Sequence, residues 1–395
     1  MHWLALIIPL LISVGAFIFF RHKIVWWEIL SGIAIPIVTI LIMMSLFEYA
    51  SLSDTEYKNH IVTEARYYEP YDTWVHRTCY RTVKSGKTTI RVPYDCSYCS
   101  RHSASYEVKD TGGNSFSINK AEYDNLTNKW NASPVFVDLH RSISYHFSCG
   151  KDGDMYKVLW DNKIMSSEIS TTSHSYQNIL QTKKSAFNFK DIDEEEASVL
   201  GLYNYPQIGK YYQPSVMGQQ VFNWSSLQKD SLVQQIDYLN GVRSTKDSVK
   251  VYVLIFTDSH LDLGHAQQAY WDGGNRNEIV ICIGSDIDGN IEWVYPFSWN
   301  KDKELLVNLR EDIVSVNNLK NSSDLSRVID LNISKYWKQR DFDTDFSYLK
   351  FEASTGQLIA LFLLTIAFSI GITIWNIKND FTNEVDNHKS RGYGY

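Results

Sequence analysis

Three stretches of the chain carry no charge and are almost wholly apolar: residues 3–20 (WLALIIPLLISVGAFIFF), 29–47 (ILSGIAIPIVTILIMMSLF) and 358–375 (LIALFLLTIAFSIGITIW). Each is 18 or 19 residues long, close to the helix length that crosses a hydrocarbon core. A buried core helix is the competing reading of each. The first stretch also stands where a signal peptide would, but it lacks a basic leading segment and a small-residue cleavage site. Pro36 would disturb a soluble helix and is tolerated in a bilayer helix. Trp26, Trp27 and Trp375 lie near the ends of the stretches, where aromatic belts form. The expectation is a multi-pass protein with the lipid bilayer as one partner.

Orientation follows from cations in short loops. The turn between the first two stretches is RHK at 21–23, whereas the flanks EYASLSDTE and DFDTDF are neutral or acidic. The positive-inside rule puts Arg21 and Lys23 in the cytoplasm. Residues 48–354 then lie outside, periplasmic or extracellular, and the tail 378–395 returns to the cytoplasm. Formal net charge is −7, with no basic run of the kind that tracks a phosphate backbone, so nucleic acid is not an expected partner. Three spans without an internal charge offer no ion pathway, so a channel or transporter is not expected either.

Of five cysteines, Cys282 sits in the apolar run EIVICIG and reads as a buried small hydrophobe. Cys79, Cys96, Cys99 and Cys149 remain. In an oxidising space they suggest two disulfides, with three connectivities open. Cys79 and Cys96 flank a hairpin-like unit, which suits a bridge. A structural zinc site is the alternative, with the four cysteines as ligands or His102 replacing one of them. His76, His102, His140, His146 and His174 are otherwise scattered and read as surface or packing residues.

Residues 48–190 read as a β-rich lobe. YRTVKSGKTTIRV, ASYEVKDTGGNSFSI and FSCGKDGDMYKVLW look like hairpins, and INKAEYDNLTNKW like a helix capped by Asn119. A linker follows over 191–218, with an acidic run at 193–196 that reads as a solvated helix start. Residues 219–354 alternate helix and strand. SSLQKDSLVQQIDYLNG is an amphipathic helix with Leu227, Leu232, Ile236 and Leu239 on one face and Gly241 as its stop. VKVYVLIF and NEIVICIG are too apolar to be half-exposed strands. NIEWVYPFSW is a third strand, and two amphipathic helices close the region. The expected fold class is α+β: three transmembrane helices flanking an extracytoplasmic region made of a β-rich lobe and an α/β/α sandwich lobe, with the third span at 355–377.

The order VKVYVLIF, helix, YWDGGNRNEIVICIGSDIDGNIEWV, then two helices resembles a TPM domain over about 222–345. That family is an extracytoplasmic α/β/α module of membrane proteins, typically with a G-x-x-x-N-G strand entry followed by an apolar run. Gly274, Asn277 and residues 279–283 fill those places, and Glu278 stands where the family usually has Gly. The resemblance implies either an interaction module or, as in some members, acid phosphatase activity.

FTDSHLDLGH after one strand and GSDIDGN after the next supply the candidate chemistry. Parallel neighbouring strands would bring Asp258 and His260 near Asp286 and Asp288, at the sheet edge where open α/β sheets bind ligands. Hard carboxylate oxygens there suit calcium or magnesium, and a phosphatase would use such a cation to neutralise charge. Ordinary turn chemistry explains SDIDGN equally. No G-x-S-x-G, P-loop or dinucleotide fingerprint is present. Binding or scaffolding of a protein or envelope partner outside the cytoplasm is the favoured function, and a metal-dependent phosphatase-like hydrolase the alternative.

Overall fold

The computed structural model describes residues 2–85, 88–139, 149, 153–161, 168–182, 190–206, 208, 221–222, 229–257 and 260–379. His140, His146, Leu227, Asp258 and residues 207 and 209–218 of the expected linker lie outside them. The chain is mixed α+β and falls into two compact units, one from residues 1–54, 175–188 and 341–395, the other from 55–174 and 189–340.

The first unit holds two helices long and apolar enough to cross a membrane, Trp26–Leu52 of 27 residues and Thr355–Asn379 of 25. The stretch at 3–20 is shorter as a helix. It starts as a 3-10 turn, His2–Leu6, and continues as the 13-residue helix Ile7–Phe19. Pro9 has no N–H to give and sits in the first turn of that helix, where none is needed. The helices meet through small and polar residues. A Cβ on Gly32 would lie 2.7 Å from Ser13 Oγ, so glycine is what lets the two helices approach. Asn376 Nδ2 donates to the Glu28 carbonyl at 3.3 Å, and Gln357 Nε2 to Ser51 Oγ at 2.9 Å. These two bonds tie opposite ends of the long helices and make them antiparallel.

The second unit contains both larger sheets. The first runs Ser115–Ile118, Ser105–Asp110, Ser53–Tyr68, Met155–Leu159, Val135–Val137, with Ile169–Gln177 also paired to the long strand Ser53–Tyr68. Met155–Leu159 thus lies between Ser53–Tyr68 and Val135–Val137, and most of the other arm of its expected hairpin lies outside the described residues. Lys120–Trp130 covers this sheet, and Asn119 caps it. Asn119 Oδ1 accepts from Glu122 N while Glu122 Oε2 accepts from Asn119 N, both at 2.9 Å. Leu126 and Trp130 pack on Val62, Ala65, Val108 and Val158.

The second sheet runs Val221–Phe222, Lys250–Phe256, Glu278–Ser285, Ile291–Ser298. Its first three strands are parallel and the last antiparallel. Every residue of the two central strands is buried, as unbroken apolar runs require. One face packs Ile236, Leu305, Leu309, Leu325 and Ile329 from helices Lys229–Asp247, Glu304–Val316 and Ser322–Tyr336. The other packs Tyr252, Leu254, Trp271, Trp293 and Phe297.

Gly241 does not stop its helix, which runs on to Asp247. The glycine is instead a point of close approach, since a Cβ there would lie 2.4 Å from Ile61 Cγ1. The polar side of this helix is buried as well as its apolar side: Ser244 accepts from Asn59 N of the long strand, Asn240 bonds the Val251 backbone, Arg243 meets Asp330 and Ser334 of helix Ser322–Tyr336, and Asp237 is 1% exposed.

Candidate functional site

Two ends of the second sheet carry polar chemistry. At the carboxyl end, Phe256 pairs with Gly284 in parallel register, so the chain leaves both strands at the same edge. Asp258 lies outside the described residues. Asp286 belongs to a tight turn that Gly289 completes with φ 85°. Its Oδ1 accepts from Asp288 N at 2.9 Å and Asn290 N at 2.8 Å, and its Oδ2 from Asn290 Nδ2 at 2.7 Å. These donors hold the carboxyl below the usual carboxylate range. Asp288, two residues on, is exposed. The turn thus brings Asp286 and Asp288 together in sequence, but it commits the Asp286 oxygens to backbone and amide donors. Among the described residues, no three His, Cys, Asp or Glu side chains converge as metal ligands do. The His265 ring packs at a tilt of 51° against that of Tyr295, with centroids 4.2 Å apart.

The opposite, amino end of the same strands holds a buried ionic cluster that the sequence reading did not single out. Lys250 and Glu278 open neighbouring strands, pair in register and are each 1% exposed. Glu278 accepts from Asn275 N at 2.9 Å and from the Tyr205 hydroxyl. Burial raises its pKa, against those donors and Lys250. Burial lowers Lys250 to about 8, against the carboxylates of Glu278 and Asp237. The Lys250 ammonium also lies 5.1 Å from the Tyr252 ring centre and 5.5 Å from that of Tyr57, close enough for cation–π attraction. Asp237 is pushed up to about 7 by burial, with Lys250 opposing.

The long strand Ser53–Tyr68 closes this end. Arg276 Nε meets Glu56 Oε2 at 2.7 Å, Asn277 Nδ2 donates to the Tyr57 carbonyl at 2.8 Å, and Asn59 N donates to Ser244 Oγ at 2.8 Å. At this depth the cluster reaches no substrate. Its chemistry is that of a polar seam joining strand to sheet. The one sequence signal for it was Glu278, an acid at the head of an apolar run where glycine was expected.

The four cysteines of the first half are brought together in pairs, Cys79 with Cys96 and Cys99 with Cys149, each with Cα atoms 5.8 Å apart, the spacing of ordinary disulfides. Cys282 is buried and unbridged, and burial raises its thiol pKa well above normal. His102 stacks on Tyr71 with centroids 4.4 Å apart and bonds Thr73 Oγ1 through Nε2 at 2.9 Å. No protein-family model, curated protein or solved structure matches the chain.

Proposed function

We propose that this chain is a multi-pass membrane protein whose large unit lies outside the cytoplasm and works there as a binding or scaffolding domain. One observation carries the reading. In each of the two long helices only 17% of the most apolar stretch is buried, and Leu41 and Leu363 are 57% and 63% exposed. A soluble core helix would cover that surface, and hydrocarbon is the medium that leaves no penalty for exposing it. The two disulfides favour an oxidising compartment for the large unit. The helix Ile7–Phe19 serves in this reading as a third, shorter span, with Arg21 and Lys23 cytoplasmic. Residues 48–190 and 219–354 act as a β-rich and an α/β/α lobe, the latter TPM-like by its order of elements.

The test is extraction and labelling. Alkaline carbonate should leave the chain in the membrane pellet. A membrane-impermeant maleimide should label Asp124→Cys on intact cells and Arg21→Cys only after permeabilisation. Release by carbonate removes the membrane reading, and the reverse labelling pattern removes the orientation. Thiol mapping with a zinc assay on the same preparation separates disulfides from a zinc-bound thiolate set.

The parallel pairing of Lys250–Phe256 with Glu278–Ser285 favours a second reading, a calcium- or magnesium-dependent phosphatase-like hydrolase using Asp258, Asp286 and Asp288. That reading predicts cation-induced thermal stabilisation, lost in Asp286→Asn/Asp288→Asn. A melting curve indifferent to calcium and magnesium sinks it.

A further inference from the structure

Among the described residues, the strands Thr78–Ser85 and Thr88–Asp95 pair only with each other, as a two-stranded ribbon. Every described side chain in it is exposed except Cys79 and Val92, which are half-buried. Such ribbons are marginal by themselves, and here the Cys79–Cys96 bridge closes the base. Residues 77–95 contain five lysines and arginines and one acid, Asp95 at the base of the ribbon, in a chain of net charge −7. Of these, Lys87 lies outside the described residues. The side chains of Arg77, Arg81, Lys84 and Arg91 make no ion pair or hydrogen bond among the described residues.

Register sorts the ribbon into two faces, because directly opposed residues point the same way. Cys79 faces Tyr94, Arg81 faces Val92 and Val83 faces Ile90. Tyr80/Pro93, Thr82/Arg91 and Lys84/Thr89 make the other face. Val83, Ile90 and Tyr94 are 40%, 52% and 46% exposed. One face is therefore an apolar stripe in water, interrupted by Arg81, and the other adds Lys84 and Arg91. Charges on an exposed strand edge also discourage aggregation. Charges of mixed sign would do that equally well, so the excess of cations over the one acid, Asp95, calls for its own explanation.

We propose that this ribbon docks on an anionic lipid surface through its apolar face, with Val83, Ile90 and Tyr94 entering the headgroup–acyl boundary, Arg81 on the same face at headgroup phosphates, and the long side chains of Lys84 and Arg91 reaching phosphates from the opposite face. A purely hydrophilic polyanion would satisfy the cations and leave the stripe in water, whereas a lipid surface engages both. The inference deepens the binding reading above. The assay below is indifferent to which side of a membrane the unit occupies, so the two fail separately.

The full chain, held in nanodiscs of phosphatidylcholine, is floated with vesicles of phosphatidylcholine alone or mixed with phosphatidylglycerol. Binding is expected to the anionic vesicles only and to weaken in high salt. Arg81→Gln/Lys84→Gln/Arg91→Gln should weaken it on the order of a hundredfold, and Val83→Ser/Ile90→Ser about tenfold. A Tyr94→Trp reporter should shift its emission to the blue on the anionic vesicles. Equal binding to both vesicle types, or full binding by the charge variant, overturns the proposal. So does salt-sensitive binding without an emission shift, or duplex DNA binding as tightly as the vesicles and ignoring Val83→Ser/Ile90→Ser. If the charge variant loses the Cys79–Cys96 bridge, the lipid and salt dependence of the unsubstituted chain and the Tyr94→Trp emission decide the matter.

Discussion

Replacing Asp237 with Asn keeps the shape of the side chain, removes its charge, and should change stability in a way that depends on pH. Asp237 is 1% exposed, and neither carboxyl oxygen accepts a hydrogen bond among the described residues. Burial raises its pKa from 3.8 to about 7, with Lys250 opposing. The folded state therefore holds a proton that the unfolded chain releases near pH 4. Below that pH both states are protonated, and the carboxyl brings no ionic penalty. Between about pH 4 and about pH 7 only the unfolded state ionises, so stability falls as pH rises. Above about pH 7 both are ionised and the loss is constant. A gap of roughly three units at about 1.4 kcal/mol each gives a total of about 4 kcal/mol. Asn carries no such loss. Measured against its own difference at acid pH, Asp237→Asn should gain about 4 kcal/mol on the parent chain by mildly alkaline pH. Urea unfolding of both proteins in one detergent, followed by tryptophan emission across this range, reads the difference directly. Titrating groups other than Lys250, whose ammonium interacts with Asp237, cancel in it. A difference that stays flat with pH would falsify the assignment of an ionising, buried carboxyl beside Lys250.

Three further outcomes follow from the same packing. Arg276→Ala leaves Glu56, whose side chain is 2% exposed, without its closest cation, and should cost about 3 kcal/mol in urea unfolding; an unchanged midpoint would show the pair to be incidental. Gly241→Ala normally gains about 1 kcal/mol inside a helix, but the contact with Ile61 should reverse the sign to a loss of about 1–2 kcal/mol, and a more stable variant refutes that close approach. Cys79→Ser/Cys96→Ser opens a bridge spanning 17 residues. It should abolish amide-exchange protection in Thr78–Ser85 and Thr88–Asp95 while leaving Lys250–Phe256 and Glu278–Ser285 protected, and loss of protection in the central strands would contradict the independence of the ribbon.

What was legible in the sequence is what apolar patterning encodes. The runs VKVYVLIF and NEIVICIG became the two fully buried central strands, and INKAEYDNLTNKW became a helix capped by Asn119, its reciprocal bond with Glu122 being added by the structure. The long strand Ser53–Tyr68 escaped notice because its buried positions include Glu56, Asn59 and His60, and polar residues do not announce burial. Helix Lys229–Asp247 was misjudged for the same reason, its polar side being a second interface rather than a solvated face. The cations of the ribbon stand three or four residues apart in sequence and read as unremarkable charges. Only antiparallel pairing gathers them. At the carboxyl edge of the second sheet, the turn at Asp286 was legible, while the use of its oxygens by the turn's own donors was not.

These misses share a cause that also bears on how the large unit holds together. An apolar seam between the long strand and the second sheet would be stable in several seatings, since hydrophobic contact has no direction. The seam built here is directional. Arg276 meets Glu56, Asn277 reaches the Tyr57 carbonyl, and Ser244 receives Asn59 N. Buried ion pairs add little net stability and can set register, and a slip of the strand by one residue would turn Glu56 and Asn59 away from these partners. The seam therefore trades stability, visible in the strained titration of Asp237 and Lys250, for a single way of seating the strand that leads directly from the Trp26–Leu52 helix.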